Sequence, residues 1–296
     1  MKSRPVLYSF ILFLLIWNML LPERSASQLA GVSVPADDKP AAVDPFQNMD
    51  LEARAYLVFD FADNLVIVSR NAELKWPLAS LAKLMTAVVV EENIPSDNMV
   101  IVSRKAILEM GDDGFFAGER FKKDALRDIM MLQSSNDAAY ALAEHLGVDR
   151  FVALMNQKAA DLGLKNTSFA NPNGLDILGQ GAGAYASASD FMVLMKYILE
   201  KYSAILDVTR LPELSVVSED GRTHKFTNTD RVVNYVPELI GGKTGFTDIA
   251  GGNLAIVADV GVHHPIGMAV FGSSEEGRFS DVLKLYQATM LWFQQK

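Results

Sequence analysis

Trp76-Pro77-Leu78-Ala79-Ser80-Leu81-Ala82-Lys83-Leu84-Met85-Thr86-Ala87-Val88-Val89-Val90 decides how the rest of the chain is read. Pro77 is tolerated before a helix or in its first turn, so the spacing predicts a helix from near Ala79 to Glu91. Ser80 then lies at its positive end. Lys83 follows three residues later, on the same face and within reach of the Ser80 hydroxyl. Every other position from Leu81 to Val90 is apolar or small, and a helix that is hydrophobic all round is buried on all sides. Lys83 is the anomaly in it. Burial disfavours the ammonium, and a neutral amine beside a serine is a general base beside a nucleophile. A plainer account also exists, with Ser80 as a cap and Lys83 snorkelling to solvent. Ser-x-x-Lys alone does not choose between them.

The chain has 296 residues, half of them hydrophobic, a net charge of −9 and no cysteine. That length holds one large domain or two modest ones, with ample side chains for a core. The acidic balance argues against a nucleic-acid partner, and the lack of cysteine excludes disulfides and thiolate metal sites. Lys2 and Arg4 precede an apolar run from Val6 to Leu21, followed by small residues up to Ser27. Residues 1–27 therefore read as a signal peptide, or else as an N-terminal membrane anchor, and the remainder is expected to be exported. Residues 28–47, with Pro35, Pro40 and Pro45 and no apolar period, read as a linker.

Beyond the linker, Ala55–Phe61 and Leu65–Val68 read as a hairpin, and Met99–Val102 as a short strand. Helices are expected from Asp124 to about Leu132, Asp137 to Leu146, Phe151 to Leu162, and from Ser189–Asp190 onward. Leu214–Val217, Lys225–Thr227, Leu239–Phe246, Asn253–Val260 and Ile266–Phe271 return to strand patterns. A last helix carries Phe279, Val282, Leu283, Tyr286, Met290 and Phe293 on one face, with Ser273 and Glu276 at capping-box spacing ahead of it. Strands around a block of helices, roughly residues 103–205, describe an α+β domain. The His263–His264 pair has no further ligand nearby in sequence and reads as a solvated turn. No phosphate loop or metal cluster is found, so no cofactor and no metal is implied.

Three polar clusters stand at element boundaries: Ser80-Leu81-Ala82-Lys83 on a helix start, Ser134-Ser135-Asn136 between helices, and Lys243-Thr244-Gly245 on a late strand. Together, in this order and these settings, they match the motif set of penicillin-binding proteins and class A β-lactamases. With the stretches Pro77–Thr86, Ser134–Gly147, Leu162–Asp176 and Gly242–Gly251, residues 48–296 resemble the serine-type D-alanyl-D-alanine carboxypeptidases, the low-molecular-mass penicillin-binding proteins. The resemblance implies a β-lactamase/transpeptidase-like fold: a mostly antiparallel sheet flanked by helices, with an inserted all-helical subdomain and the site between them.

It further implies Ser80 as nucleophile, Lys83 as its base, and an oxyanion hole of the Ser80 and Phe246 N–H groups. Ser134 and Lys243 would pass a proton to the leaving amine. Asn136 would hold the substrate amide, and Thr244 of Lys243-Thr244-Gly245, with Arg278, would meet the terminal carboxylate. The structural alternatives are a helix C-cap for Ser134, an N-cap for Asn136 and a surface charge for Arg278. Peptidoglycan stem peptides are the implied substrates, β-lactams the covalent inhibitors, and the periplasm or outer face of the bacterial membrane the location.

Two departures stand out. Asn173 in Asn171-Pro172-Asn173-Gly174 occupies a position where many relatives carry His. The chain also ends after the last helix, where several relatives continue into a β-rich domain and an amphipathic helix, so membrane attachment is expected only through an uncleaved N-terminal segment. Cutting of cross-links by the same groups, penicillin hydrolysis and a catalytically silent wall-binding module are the competing readings. Penicillinase action would ask for a second base between the second and third motifs, where the Asn- and Gly-rich loop 166–183 offers only Asp176.

Overall fold

The structure is a computed structural model that describes residues 44–295 apart from 112 and 262. The expected signal peptide and most of the linker lie outside the described residues. In chain order the strands are β1 Ala55–Asp60, β2 Leu65–Arg70, β3 Trp76–Pro77, β4 Met99–Ile101, β5 Arg120–Lys122, β6 Ser168–Phe169, β7 Ala184–Ala186, β8 Glu213–Val217, β9 Thr223–Thr227, β10 Leu239–Thr247, β11 Gly251–Asp259 and β12 Pro265–Ser273. The α-helices are α1 Lys83–Asn93, α2 Lys123–Leu132, α3 Asn136–Leu146, α4 Val148–Asp161, α5 Ala188–Lys201, α6 Ala204–Asp207 and α7 Gly277–Gln294.

The main sheet has five strands in the order β10-β11-β12-β1-β2, every pair antiparallel. Side chains alternate across a strand, so β1 serves two cores. Tyr56 and Val58 join Leu254, Ile256, Met268 and Val270 under Phe279, Val282 and Leu285 of α7. Ala55 and Leu57 join Ala255, Val257, Ala269 and Phe271 on the other face, in the same core as Phe191 and Met195 of α5 and the apolar residues of α1. Burying each large apolar side chain in these layers contributes about 1.5–3 kcal/mol. Strand β2 is one edge of the sheet and is largely exposed, and β10 is the other.

Helix α1 runs through the second core with Leu84, Met85, Ala87, Val88, Val89 and Val90 at most 1% exposed. It ends where the chemistry says it must, because Ile94 precedes Pro95 and is extended, at φ −120° and ψ 116°. Its start differs from the sequence expectation. Residues Ala79–Ala82 form a 3-10 turn, and the α-helix proper begins at Lys83. The cause lies upstream. Trp76 and Pro77 are paired to β7, the Leu78 N–H donates to the Ala184 carbonyl, and Asn253 Nδ2 donates to the Pro77 and Leu78 carbonyls. The chain leaves this strand abruptly, with Ala79 at φ +49°, and the first turn tightens.

Three other expectations need correction. Helix α4 begins at Val148 and not Phe151, because Gly147 at φ +86° turns the chain directly out of α3. The capping box does not form: Ser273 belongs to β12 and its hydroxyl donates to Asp281, while Ser274 Oγ accepts from the Gly277 N–H. His264 is not a free solvated side chain, since its Nε2 lies 2.7 Å from Oδ2 of the buried Asp60 and its ring meets Phe293 edge-on. The paired strands β3, β5, β6 and β7 are too short to have shown a period of two.

Candidate active site

Three elements converge on the Ser80 turn: strand β10, the Ser134-Ser135-Asn136 link between α2 and α3, and the Asn171–Gly174 turn. Lys83 is wholly buried, and its Nζ lies 2.7 Å from Ser80 Oγ, 2.7 Å from Asn136 Oδ1 and 3.1 Å from the Asn173 carbonyl. The orientation of Asn136 is fixed by its other end, where Nδ2 donates to the Met110 carbonyl at 2.6 Å, so the oxygen faces the lysine. Two of the three neighbours of Nζ are thus obligatory acceptors and the third is a hydroxyl. A neutral amine fits that set: it donates two N–H groups to the carbonyls and turns its lone pair to the Ser80 O–H.

Burial pulls the Lys83 pKa from 10.5 down to about 7, against the opposing charges of Asp113 and Glu109. At pH 7 the neutral fraction rises from under about one in a thousand to about one half. Lys243, also buried, is held well below the ordinary lysine range, first by burial and then by the charge of Lys83, with Asp230 opposing. Burial raises Asp230 to about 6, although the Val232 N–H and the charges of Lys243 and Arg278 pull the other way.

Strand β10 brings the third cluster to Ser80. A Cβ on Gly245 would stand 2.8 Å from the Leu78 carbonyl and 3.2 Å from the backbone nitrogens of Ser80 and Leu81, so glycine is what lets the strand come this close. Lys243 Nζ donates to the Thr244 carbonyl at 3.2 Å, and the Thr244 hydroxyl pairs with that of Thr229 at 2.7 Å. Arg278 is not a surface charge. It is 7% exposed, donates from Nη1 to the Gly245 carbonyl at 2.9 Å, and stacks over Phe279 and, at 5.9 Å, over Phe246. Phe246 itself is exposed at the end of the strand.

The middle cluster splits into two roles. Ser135, not Asn136, caps α3, with its Oγ accepting from the Ala138 N–H. Ser134 is half-buried with φ +66°, in the left-handed region that few non-glycine residues enter. Among the described residues no hydrogen bond ties Ser134 or Lys243 directly to Ser80.

The turn Asn171–Gly174 supports the Ser80 turn from below. Thr86 of α1 donates to the Pro172 carbonyl at 2.5 Å, and Asn171 Oδ1 accepts from the Gly174 N–H. Gly174 packs against the Ala79 main chain, next to Ser80. Asp176, the only acid of the following loop, is engaged with Thr247 Oγ1 and the Ile249 N–H. Residue types alone did not reveal the Asn173 carbonyl, the Met110 carbonyl, Glu109 or Asp230. The turn-forming run Asn171–Gly174 was the one visible signal among them.

A fold with this site, a serine and a buried lysine facing a Lys-Thr-Gly strand, places the chain among the acyl-forming serine enzymes of the penicillin-binding type. A solved structure of the D-alanyl-D-alanine carboxypeptidase of Mycobacterium tuberculosis covers 81% of this chain and 92% of its own, with a TM-score of 0.74 and 27% identity. Penicillin-binding protein D2 of Listeria monocytogenes, solved in an ampicillin-bound form, aligns over 81% and 98% with a TM-score of 0.69 and 28% identity. The chain belongs to the peptidase S11 family, D-alanyl-D-alanine carboxypeptidase, whose model matches residues 41–274. It is 30% identical to a D-alanyl-D-alanine carboxypeptidase of M. tuberculosis over 82% of each chain, and 31% identical to a D-alanyl-D-alanine endopeptidase of Pseudomonas aeruginosa over 86% of this chain and 82% of that one. A carboxypeptidase of Bacillus subtilis is 29% identical, and the match covers only 61% of its length.

Proposed function

We propose that the protein is a serine DD-peptidase that removes the terminal D-alanine of peptidoglycan stem peptides through an acyl-enzyme on Ser80. The observation that carries this is the Lys83 amine, buried, 2.7 Å from Ser80 Oγ and held by two carbonyl acceptors. Neutral Lys83 takes the hydroxyl proton as Oγ attacks the penultimate D-alanine carbonyl. The N–H groups of Ser80 and Phe246 stabilise the oxyanion. Ser134 and Lys243 return a proton to the leaving amine, and D-alanine departs. Water then hydrolyses the ester and restores Ser80. Asn136 holds the substrate amide, and Thr244 meets the terminal carboxylate. Arg278 acts at the same end by supporting the Gly245 carbonyl, with its charge beside the strand. β-Lactams acylate Ser80 in the same way.

The domain works outside the cytoplasmic membrane, exported by the segment 1–27, which provides the membrane attachment where it is not cleaved. Among the described residues no helix is long and apolar enough to cross a membrane. Cleavage of cross-links between stems is the second reading, favoured by the endopeptidase relatives at the same level of identity. Incubation with a stem pentapeptide and with a cross-linked dimer, followed by mass analysis, separates the two. Release of D-alanine from the pentapeptide is the expected result. Cleavage of the dimer alone reassigns the activity, and neither product from a folded protein defeats both readings in favour of a silent wall-binding module.

A further inference from the structure

The Lys83 site is closed on one side by a segment that belongs to none of the three motifs. After the 3-10 turn Ala106–Leu108 the chain extends at Glu109, with φ −63° and ψ 160°, and passes over the base. Its described residues make three polar contacts there. The Met110 carbonyl accepts from Asn136 Nδ2 at 2.6 Å, Asp113 Oδ2 accepts from Ser135 Oγ at 2.6 Å, and Glu109 Oε2 accepts from Asn173 Nδ2 at 2.8 Å. The last contact is the informative one. Asn173 is 2% exposed, its side chain is bonded to Glu109 on one side, and its main-chain carbonyl receives Lys83 Nζ on the other. One residue therefore joins a half-buried carboxylate to the buried amine.

We propose that Glu109 is a positioning residue for Lys83: through Asn173 it fixes the carbonyl that holds the amine, and it places a negative charge beside the base. The inference rests on the reading of Lys83 as the base of the acylation step. The geometry supplies both parts of the role. A carbonyl anchored at its own side chain cannot swing away when Lys83 changes protonation state, and a carboxylate one residue away stabilises the ammonium that forms when the Ser80 proton arrives. Among the described residues, the charged and titratable groups around Lys83 are Glu109 and Asp113 on this segment and Lys243 on β10. Tyr140 of α3 feels the charge of Glu109 from the far side, and burial keeps its phenol above the usual range. Glu109 is itself raised by burial, an effect that Asn173 and Lys83 oppose.

Glu109→Gln tests this cleanly, because the amide oxygen can still accept from Asn173 while the charge is gone. The rate of acylation by a fluorescent penicillin is measured between about pH 5 and 10, where lysine in this setting titrates, for wild type, Glu109→Gln and Glu109→Asp, with circular dichroism as the folding control. Loss of the charge makes the ammonium harder to form. The acid limb of Glu109→Gln is therefore expected about half a pH unit or more below that of wild type, the size that a half-exposed neighbouring carboxylate produces. Glu109→Asp returns it toward the wild-type position. A folded Glu109→Gln protein with the wild-type midpoint overturns the proposal. Should that variant fail to fold, Asn173→Ser cuts the same link while keeping both the carboxylate and the main-chain carbonyl. With the charge kept and the carbonyl released, Asn173→Ser is expected to lower the limiting acylation rate while its acid limb stays near that of wild type, and a wild-type limiting rate overturns the proposal equally. Wild-type protein that takes no label at any pH defeats the acylation reading itself, whereas a labelled wild type with an unmoved variant defeats only the role of Glu109.

Discussion

Gly174→Ala is the perturbation that reaches Ser80 without touching it. A Cβ at this position would stand 1.9 Å from the Ala79 carbonyl oxygen and 2.6 Å from its carbon, whereas real Cβ contacts are essentially never under 3.0 Å. The two main chains would have to part by more than about 1 Å. Gly174 also sits at φ +80°, which costs a non-glycine residue about 1–2 kcal/mol. The overlap adds an overpacking cost of about 1–3 kcal/mol, so the total falls near 2–5 kcal/mol. Ala79 precedes Ser80, and a displacement of about 1 Å at a reacting group can cost about a hundredfold in rate. Gly179→Ala is the internal control. It has φ +73°, with no atom within 4 Å of the added Cβ, and so carries the backbone cost alone. Urea unfolding and penicillin acylation of the two variants separate the terms. Gly174→Ala is expected to be the less stable by the overpacking cost and to acylate about a hundredfold more slowly. Equal stability and equal acylation would refute the claim that the Asn171–Gly174 turn braces the nucleophile.

Asp230 is raised by burial to about 6, above its unfolded-state value near 4, so the folded protein holds the extra proton between these values. Its contribution is complete below about pH 4 and is lost as pH rises through 6. Urea unfolding of Asp230→Asn is expected to gain on wild type by about 2–3 kcal/mol between about pH 4 and 7, and parallel pH profiles would contradict this. Arg278→Lys cannot keep both the hydrogen bond to the Gly245 carbonyl and the stacking over Phe279, so acylation is expected to fall about tenfold in a folded protein. An unchanged rate would show that the guanidinium does not support strand β10. Benzylpenicillin is expected to leave a long-lived adduct on Ser80, because Asp176 is occupied with Thr247 and Ile249 and offers no second base. Rapid turnover without a detectable adduct in the mass spectrum would favour a penicillinase.

What the sequence made legible follows from which constraints act through side chains. The convergence of Ser80, Lys83, Asn136 and Lys243 was legible because acyl transfer would need those residue types, and because a lysine in an all-apolar helix has no ordinary reason to be there. Strands β1, β11 and β12 could be read because one face of each is an uninterrupted run of apolar or small residues. The start of α1 could not, since the left-handed backbone at Ala79 is imposed by the β3–β7 pairing and by Asn253 from a distant strand. The carbonyls of Asn173 and Met110 carry no side-chain signature at all. For Arg278 the sequence leaves a carboxylate contact and a surface charge both open, because a helix start is usually exposed, and only the packing of Phe279 and β10 around it excludes the surface charge. Ser135 took the capping role expected of Asn136, which leaves Asn136 free to hold the lysine.

The central claim is that Lys83 acts as a neutral base on Ser80, and Lys83→Arg tests it most directly. A guanidinium keeps a cation at the site but does not deprotonate in a protein, so it cannot accept the hydroxyl proton. General-base catalysis contributes about a hundredfold to ten-thousandfold, and acylation of Lys83→Arg is expected to fall by at least that much. The wild-type rate should at the same time fall at low pH, with a midpoint near 7 set by Lys83, whose titration is coupled to that of Lys243. The measurement is the penicillin acylation rate against pH for both proteins, with circular dichroism to establish the fold. A folded Lys83→Arg protein that acylates at close to the wild-type rate would mean that the base lies elsewhere.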